Sequence, residues 1–409
     1  MPIVINNSRR RFLQSSIGGA AAIGIGSAIP DCFADAAVFE GSGKDRILVV
    51  VQLTGGNDGL NTIIPYADEN YRNARPELAI SASDMIRHDA DTGFHPSMTA
   101  LYDRLQAGQL TVIRSAGYEQ PNRSHFEAMD IWHTCRRKSE QRTDGWLGRF
   151  IESQKLSPGG DVPAIHLGRD QQPFALTSQS IPVPTLTSLK DFQLQGRGRE
   201  SLQLLMKRTP ASPSENELLS FVQSSTASAI QASDRVGEAA KGYRSSIAYP
   251  ESDLAEKLRT IAQLIDAGLT TRVYYVQLDG FDTHAEQLLT HSILLRDWSN
   301  AVGAFVQDLD VHGHGERVCV LTFSEFGRRV KENASAGTDH GAAGPMFLCG
   351  GGLKAGMVGE RPDLTNLLEG DLKHEHDFRR VYASVLQSWL GVNPDPILGD
   401  EFETLPLFV

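Results

Sequence analysis

Short apolar segments, each followed directly by polar residues, constrain the fold of this chain more than any other feature. Val318–Leu321 is the clearest of them, and Arg46–Leu53, Leu110–Ser115 and Arg272–Leu278 have the same character. Apolar runs of this length, rich in β-branched residues, are typical of strands buried on both faces of a parallel sheet. A further apolar run, Met346–Cys349, predicts one more strand. The chain is therefore expected to form a sheet covered on both faces.

The segments between these runs show apolar residues at helical spacing, several of them ended by a glycine. The predicted helices are His95–Gln106, one starting near Phe126, Leu254–Ile265, a long one ending near Leu309, and one capped by Asp377 and ended by Gly391. Helices alternating with buried strands predict an α/β fold, with a mostly parallel central sheet between helical layers.

The first residues match a bacterial export signal. Arg9, Arg10 and Arg11 precede Phe-Leu and a weakly apolar, glycine- and alanine-rich stretch, as in twin-arginine signal peptides. That stretch is too short and too rich in glycine to predict a permanent membrane span. We expect a signal peptide over residues 1–36, a twin-arginine translocase as partner during export, and a periplasmic or secreted mature protein.

The remainder, residues 37–409, is long enough for one large domain. Between residues 188 and 249 serine, alanine, glutamine and glutamate dominate, which predicts a helical insertion or cap over the sheet. The net charge of −11 argues against a general nucleic-acid surface. Cys319 and Cys349 lie inside apolar runs and are expected to be buried thiols, with no disulfide framework.

Polar residues capable of chemistry follow the predicted strands. Because ligands bind outside the carboxyl ends of strands in an open α/β sheet, we expect these side chains to share one rim. The metal-ligand candidates are Asp58, Asp279, Asp282, His284, Asp339 and His340, and the catalytic candidates are Ser124, Glu325 and Arg328.

Carboxylates combined with imidazoles suit zinc, manganese or a similar divalent ion, whereas sites of carboxylates alone favour calcium or magnesium. A divalent metal is therefore the expected cofactor. Ser124, close to a predicted helix start, is a candidate nucleophile. Arg123 and Arg328 are the nearest residues that could contact phosphate or sulfate oxygens.

Structural alternatives exist for several of these residues. Asp58 could stabilise its own turn, and Ser124 could be only a helix cap. Glu325 and Arg328 could pair with each other. His374 and His376 alternate on a loop and are expected to be exposed surface histidines.

Five ordered motifs, LTGGNDGLNTIIP, NRSHFEAMD, LDGFDTH, FSEFGR and GTDHG, together with the twin-arginine start, resemble the exported family known as domain of unknown function 1501. That family is similar in turn to the alkaline phosphatase and sulfatase superfamily. The resemblance implies an α/β/α sandwich with a two-metal site.

Carried over by motif, the resemblance implies that Asp58 is an acidic metal ligand and Ser124 the nucleophile. It also implies that Asp279 or Asp282 with His284 forms one metal pair, and that Asp339 with His340 forms the other. The chain departs from the superfamily in the spacing of the first pair and in lacking a convincing final histidine.

The leading hypothesis is an exported, metal-dependent hydrolase of phosphate or sulfate esters. Its substrate would be a small anionic ester or a polymer of the cell envelope. The alternative hypothesis, motivated by the irregular ligand spacing, is a non-catalytic exported binding or assembly protein with a degenerate site.

Overall fold

The computed structural model describes residues 45–154, 161–188 and 242–409, together with the backbone of two strands at 37–39 and 156–158. The predicted signal peptide at residues 1–36 and residues 189–241 of the predicted insertion lie outside the described residues, so both remain predictions.

The strands of the described residues form one large sheet and two small ones. In chain order they are β1 (Ala37–Phe39), β2 (Ile47–Leu53), β3 (Ile63–Ile64), β4 (Ile86–Arg87), β5 (Gly93–Phe94), β6 (Leu110–Gly117), β7 (Leu156–Pro158), β8 (Ala164–Leu167), β9 (Thr185–Leu186), β10 (Val273–Leu278), β11 (Val318–Phe323), β12 (Gly344–Gly350), β13 (Gly356–Val358) and β14 (His376–Asp377).

The large sheet has the order β13-β6-β12-β11-β2-β10-β8-β9, and β14 also pairs with β6. Within it only β12 is antiparallel to its neighbours, β11 and β6, and the other pairings are parallel. The small sheets are β1-β7 and β3-β5-β4. The predicted mostly parallel central sheet is therefore confirmed, with the predicted strands displaced by only a few residues at their ends.

The helices of the described residues are α1 (Gly59–Thr62), α2 (Glu69–Ala74), α3 (Thr99–Gln106), α4 (His125–Thr134), α5 (Trp146–Ser153), α6 (Asp253–Asp266), α7 (Gln287–Val311), α8 (Phe378–Ser384) and α9 (Asp395–Leu398). Short 3-10 turns lie at Pro96–Met98, Phe174–Leu176 and Gly315–Arg317, and α8 continues into a π-helical turn at Val385–Trp389. None of the helices in this part of the chain combines the length and apolar character required to span a membrane.

Alternating side chains of the central strands enter two separate cores. Val49 and Val51 of β2 join the core that contains Leu258 of α6 and Trp298 of α7. Val50 joins the opposite core, which helices α4, α5 and α8 complete. Because successive side chains of a strand point to opposite faces, both faces need helical cover. The predicted three-layer α/β/α sandwich is confirmed.

Candidate metal centre

The strand register brings the polar loops to one rim. Leu53 at the end of β2 pairs with Leu278 at the end of β10, and Phe323 at the end of β11 pairs with Gln52. The chain leaves all three strands at the same level, and β6 runs in the same direction as β11 because β12 is antiparallel to both. The backbones approach so closely here that a Cβ on Gly55, whose φ is +120°, would lie 2.3 Å from the nitrogen of Asp282.

Three side chains converge at this rim in an arrangement that could hold a metal ion. His125, Asp282 and His340 each offer one ligand atom, and these atoms lie within 4.8 Å of one another. His284 adjoins the group, with its Nε2 3.1 Å from Asp282 Oδ1 and 2.9 Å from His340 Nε2. Histidine nitrogens with a carboxylate oxygen are ligands that zinc accepts.

The orientation of His125 is fixed by Glu325, which is fully buried. Glu325 Oε1 lies 2.9 Å from His125 Nδ1 and also accepts a hydrogen bond of 2.9 Å from the backbone N–H of Gly55. Since a carboxylate oxygen only accepts, Nδ1 carries the proton. The hydrogen bond to Glu325 raises the pKa of His125, against the opposing effect of burial. In the neutral imidazole, Nε2 is left as the free lone pair; it lies 3.5 Å from Asp282 Oδ2 and has no hydrogen-bond partner.

The other two imidazoles are oriented in the same sense. His340 Nδ1 is 2.8 Å from the backbone oxygen of Arg123, and His284 Nδ1 is 3.3 Å from Asp339 Oδ1. Both Nδ1 atoms therefore donate, which leaves each neutral Nε2 as a lone pair facing Asp282. Metal-bound histidines commonly donate their other ring N–H to a carboxylate or a backbone carbonyl.

The spacing of these atoms fits a metal ion. Lone pairs that face each other and a carboxylate repel unless a cation lies between them or a ring gains a proton. Ligand atoms about 2.0–2.1 Å from a tetrahedral ion would lie roughly 3.3–3.4 Å apart. The separations from Asp282 Oδ1 to the Nε2 atoms of His340 and His284 are 3.0 and 3.1 Å. These two separations are close to those expected between ligands of one divalent ion.

Arg328 lies beneath this group and is buried. Its guanidinium donates to the backbone oxygens of Gly55, Gly56, Phe281 and Thr338, and to Asp282 Oδ1 at 2.7 Å. Partial burial acts to raise the pKa of Asp282, but the hydrogen bond from Arg328 and the positive charge of its guanidinium do most to outweigh that effect, and the pKa is lowered to about 2. Asp282 is thus ionised at neutral pH. We assign Arg328 to positioning Asp282, since its donors are already engaged within the protein.

Three of the candidate ligands lie outside the converging group. Asp58 is buried and forms an ion pair of 2.6 Å with Arg75, and it also accepts from Gln287. Its Oδ1 has no hydrogen-bond partner. Asp279 is exposed and does not belong to the group that the structure brings together. Asp339 contacts the group only through His284, and hydrogen bonds from Asn333 and His284 lower its pKa against the effect of burial.

Ser124 is exposed at the N-cap of α4, directly before His125. Its side chain makes no capping hydrogen bond, so the hydroxyl is not used to end the helix. The neighbouring Arg123 is bound to Asp371, with Nη2 2.6 Å from Oδ2. Arg123 is therefore held by an acidic partner in this structure.

The sequence alone did not identify His125 as a candidate ligand, although this residue directly follows the candidate nucleophile Ser124. The available signal was a histidine at a predicted helix start, and many histidines at such positions bind no metal. Glu325 was expected either to act in catalysis or to pair with Arg328, and the structure places it against His125 instead. The expectation of exposed His374 and His376 was wrong, because both are partly buried.

The family described as "Protein of unknown function (DUF1501)" matches residues 45–387, which confirms that resemblance. No curated protein matches the sequence.

Solved structures similar to this chain include a protein in the alkaline phosphatase superfamily from Vibrio parahaemolyticus, with 10% identity, 92% of this chain and 73% of that chain covered, and a TM-score of 0.39. The PsFucS1 sulfatase from Pseudoalteromonas sp. has 10% identity, coverages of 88% and 70%, and a TM-score of 0.37. The C-terminal periplasmic domain of EcEptC from Escherichia coli, in complex with Zn, has 10% identity, coverages of 77% and 76%, and a TM-score of 0.36. At this identity and these TM-scores, no activity is transferred to this chain.

Proposed function

We propose that this chain, which belongs to the family described as protein of unknown function (DUF1501), is a metal-dependent hydrolase of phosphate or sulfate esters. The convergence of three imidazole Nε2 atoms on Asp282 carries the proposal. His125, His284, His340 and Asp282 would hold the ion, and Asp339 would orient His284. A divalent metal bound there would act as a Lewis acid and stabilise negative charge that develops on an anionic ester.

Ser124 is the candidate nucleophile in this proposal. It is exposed, it precedes the ligand His125, and its hydroxyl is not used as a helix cap. The start of α4 also favours anion binding, because backbone N–H groups point out of a helix N-terminus. Glu325 and Arg328 would act as positioning residues for His125 and Asp282. Asp58, which is buried and ion-paired with Arg75, would stabilise the loops of the rim.

We further propose that the protein is exported through the twin-arginine pathway and acts in the periplasm or outside the cell. The support for export is the arginine pattern of residues 9–11, followed by a weakly apolar stretch. Elemental composition, metal affinity and activity should therefore be measured on the mature chain.

The first test is elemental analysis of that chain, purified without chelators or a metal-affinity step. We expect a stoichiometric divalent metal that is lost in His340→Ala and Asp282→Asn. His314→Ala is the matched control, because His314 pairs with Asp266 at 3.1 Å before the amino end of β11, away from the rim. Retained metal in folded His340→Ala protein would refute the assigned ligands.

The second test is turnover of a panel of aryl phosphate and sulfate esters by the metal-loaded protein. We expect turnover that Ser124→Ala abolishes while metal content stays unchanged. The engagement of both Arg123 and Arg328 with protein acceptors favours the alternative, a non-catalytic binding or assembly protein. That alternative predicts no turnover of any ester even when the metal is bound.

A further inference from the structure

An open cavity of about 190 Å³ lies in the part of the rim built by the segments that carry the metal-centre residues. Its lining is formed mainly by apolar side chains. The lining residues that matter here are Tyr118, Pro121, Ala342, Ala343, Leu368 and Leu372.

Each wall of this cavity is linked to the metal centre. The first wall ends at Pro121, two residues before Arg123, whose backbone oxygen orients His340 at 2.8 Å. The second wall begins at Ala342, two residues after His340. The third wall is formed by Leu368 and by residues 372–374, and Leu372 directly follows Asp371, whose Oδ2 lies 2.6 Å from Arg123 Nη2. A molecule in the cavity would therefore contact the same loops that position the ligands.

The cavity leaves one large apolar side chain uncovered. Leu368 is 47% exposed, and the next residue, Glu369, has a φ of +53°, which is strained for a residue other than glycine. Covering an exposed leucine with an apolar group removes its surface from water, which favours binding. The polar residues that line the cavity are Glu119, Gln120, Lys373 and His374.

The size of the cavity limits what it could hold. An apolar cavity of about 150 Å³ is large enough to bind benzene. A volume of about 190 Å³ thus accommodates one aromatic ring or an alkyl group of similar size. We propose that this cavity is the subsite for the apolar alcohol portion of an anionic ester, whose phosphoryl or sulfuryl end faces the metal centre. This inference rests on the proposed function and adds the substrate class, an aryl or short-alkyl ester.

Binding of two phosphonates to the metal-loaded mature chain tests the subsite without any need for turnover. Phenylphosphonate carries the ring that the cavity would hold, and methylphosphonate carries the same anion without it. Isothermal titration should show phenylphosphonate binding at least about tenfold more tightly, the effect expected when an aromatic ring leaves water.

Two variants of Leu368 test whether the preference for phenylphosphonate over methylphosphonate arises in this cavity. Leu368→Ser should weaken phenylphosphonate binding about fivefold, because part of an apolar wall is lost. Leu368→Trp should weaken it further by filling the cavity. Both should leave the methylphosphonate affinity and the metal affinity unchanged. Val311→Ser is the matched control, since Val311 is an exposed apolar side chain, 57% accessible, at the far end of α7.

Equal affinities for the two phosphonates in metal-loaded protein would overturn the subsite, as would an unchanged preference in folded Leu368→Ser and Leu368→Trp. A parallel zinc titration separates this failure from failure of the proposed function. If zinc does not bind to the wild-type chain, the assignment of the metal centre is refuted, and the proposed subsite is refuted with it.

Discussion

Glu325 offers the sharpest test of the proposed metal centre, because it would act on a bound metal only through His125. Its Oε1 lies 2.9 Å from both His125 Nδ1 and the Gly55 backbone nitrogen, and Ser324 Oγ lies 3.2 Å from Oε2. Glu325→Ala removes all of these contacts. Glu325→Gln keeps an oxygen that can accept both Oε1 bonds, while removing the negative charge.

The two variants should differ in magnitude. Loss of a carboxylate that orients a ligating histidine lowers metal affinity by roughly 10- to 100-fold, and we expect this of Glu325→Ala. The same variant leaves the Gly55 N–H buried without an acceptor, which costs about 1–3 kcal/mol of folding stability. In Glu325→Gln the hydrogen bonds persist but lose their charge assistance. A difference of about 1 kcal/mol, roughly fivefold in metal affinity, is expected.

The assay is a zinc competition titration against a chromophoric chelator, with urea unfolding of each variant in parallel. Glu332→Ala is the control, because Glu332 accepts a backbone hydrogen bond from Leu78 at 2.8 Å and has no part in the metal centre. It should lower stability and leave metal affinity unchanged. Wild-type affinity in both folded Glu325 variants would refute the claim that Glu325 orients His125 toward a metal.

Two predictions concern the buried ion pair below the rim. Arg75→Met leaves the Asp58 carboxylate, 1% exposed, without its partner at 2.6 Å, and we expect a loss of about 3–5 kcal/mol in urea unfolding; a loss below about 1 kcal/mol would contradict this. The pair also predicts a pH dependence: burial raises the pKa of Asp58, but Arg75 and the surrounding hydrogen bonds lower it overall. Because the folded pKa is depressed, this stabilisation is fully present above the unfolded value of about 3.9 and is lost as the pH falls through the folded value. Asp58→Asn should therefore flatten the acid limb of the unfolding free energy below about pH 4, and an unchanged slope would show that folding does not lower the pKa of Asp58.

The strands were the most predictable part of the chain. Val318–Leu321 was expected as a strand and is part of β11 at Val318–Phe323, and the strand expected at Arg272–Leu278 is β10 at Val273–Leu278. A strand buried on both faces must be apolar along its whole length, so its sequence is distinctive. The end of such a strand is equally easy to recognise in the sequence, because the chain becomes polar where it leaves the sheet.

The partners of the rim residues were much less predictable. Nothing in the sequence around Asp58 shows that Arg75, on the loop after α2, will reach it and form a buried ion pair. Likewise, the contact between His125 and Glu325 joins residues 200 positions apart. Such contacts depend on how each loop leaves its strand, which local propensity does not specify.

The sequence by itself determined the α/β class and the edge of the sheet where the acidic, imidazole and hydroxyl groups lie. Both follow from periodicity and from the common direction of parallel strands. Only the tertiary structure decided which of these groups meet. It joined His125 to Asp282 and His340, paired Asp58 with Arg75, and left Asp279 in solvent. The physical reason is that ligand contacts require side-chain placement to within a fraction of an ångström, and loop packing and buried hydrogen bonds set that placement.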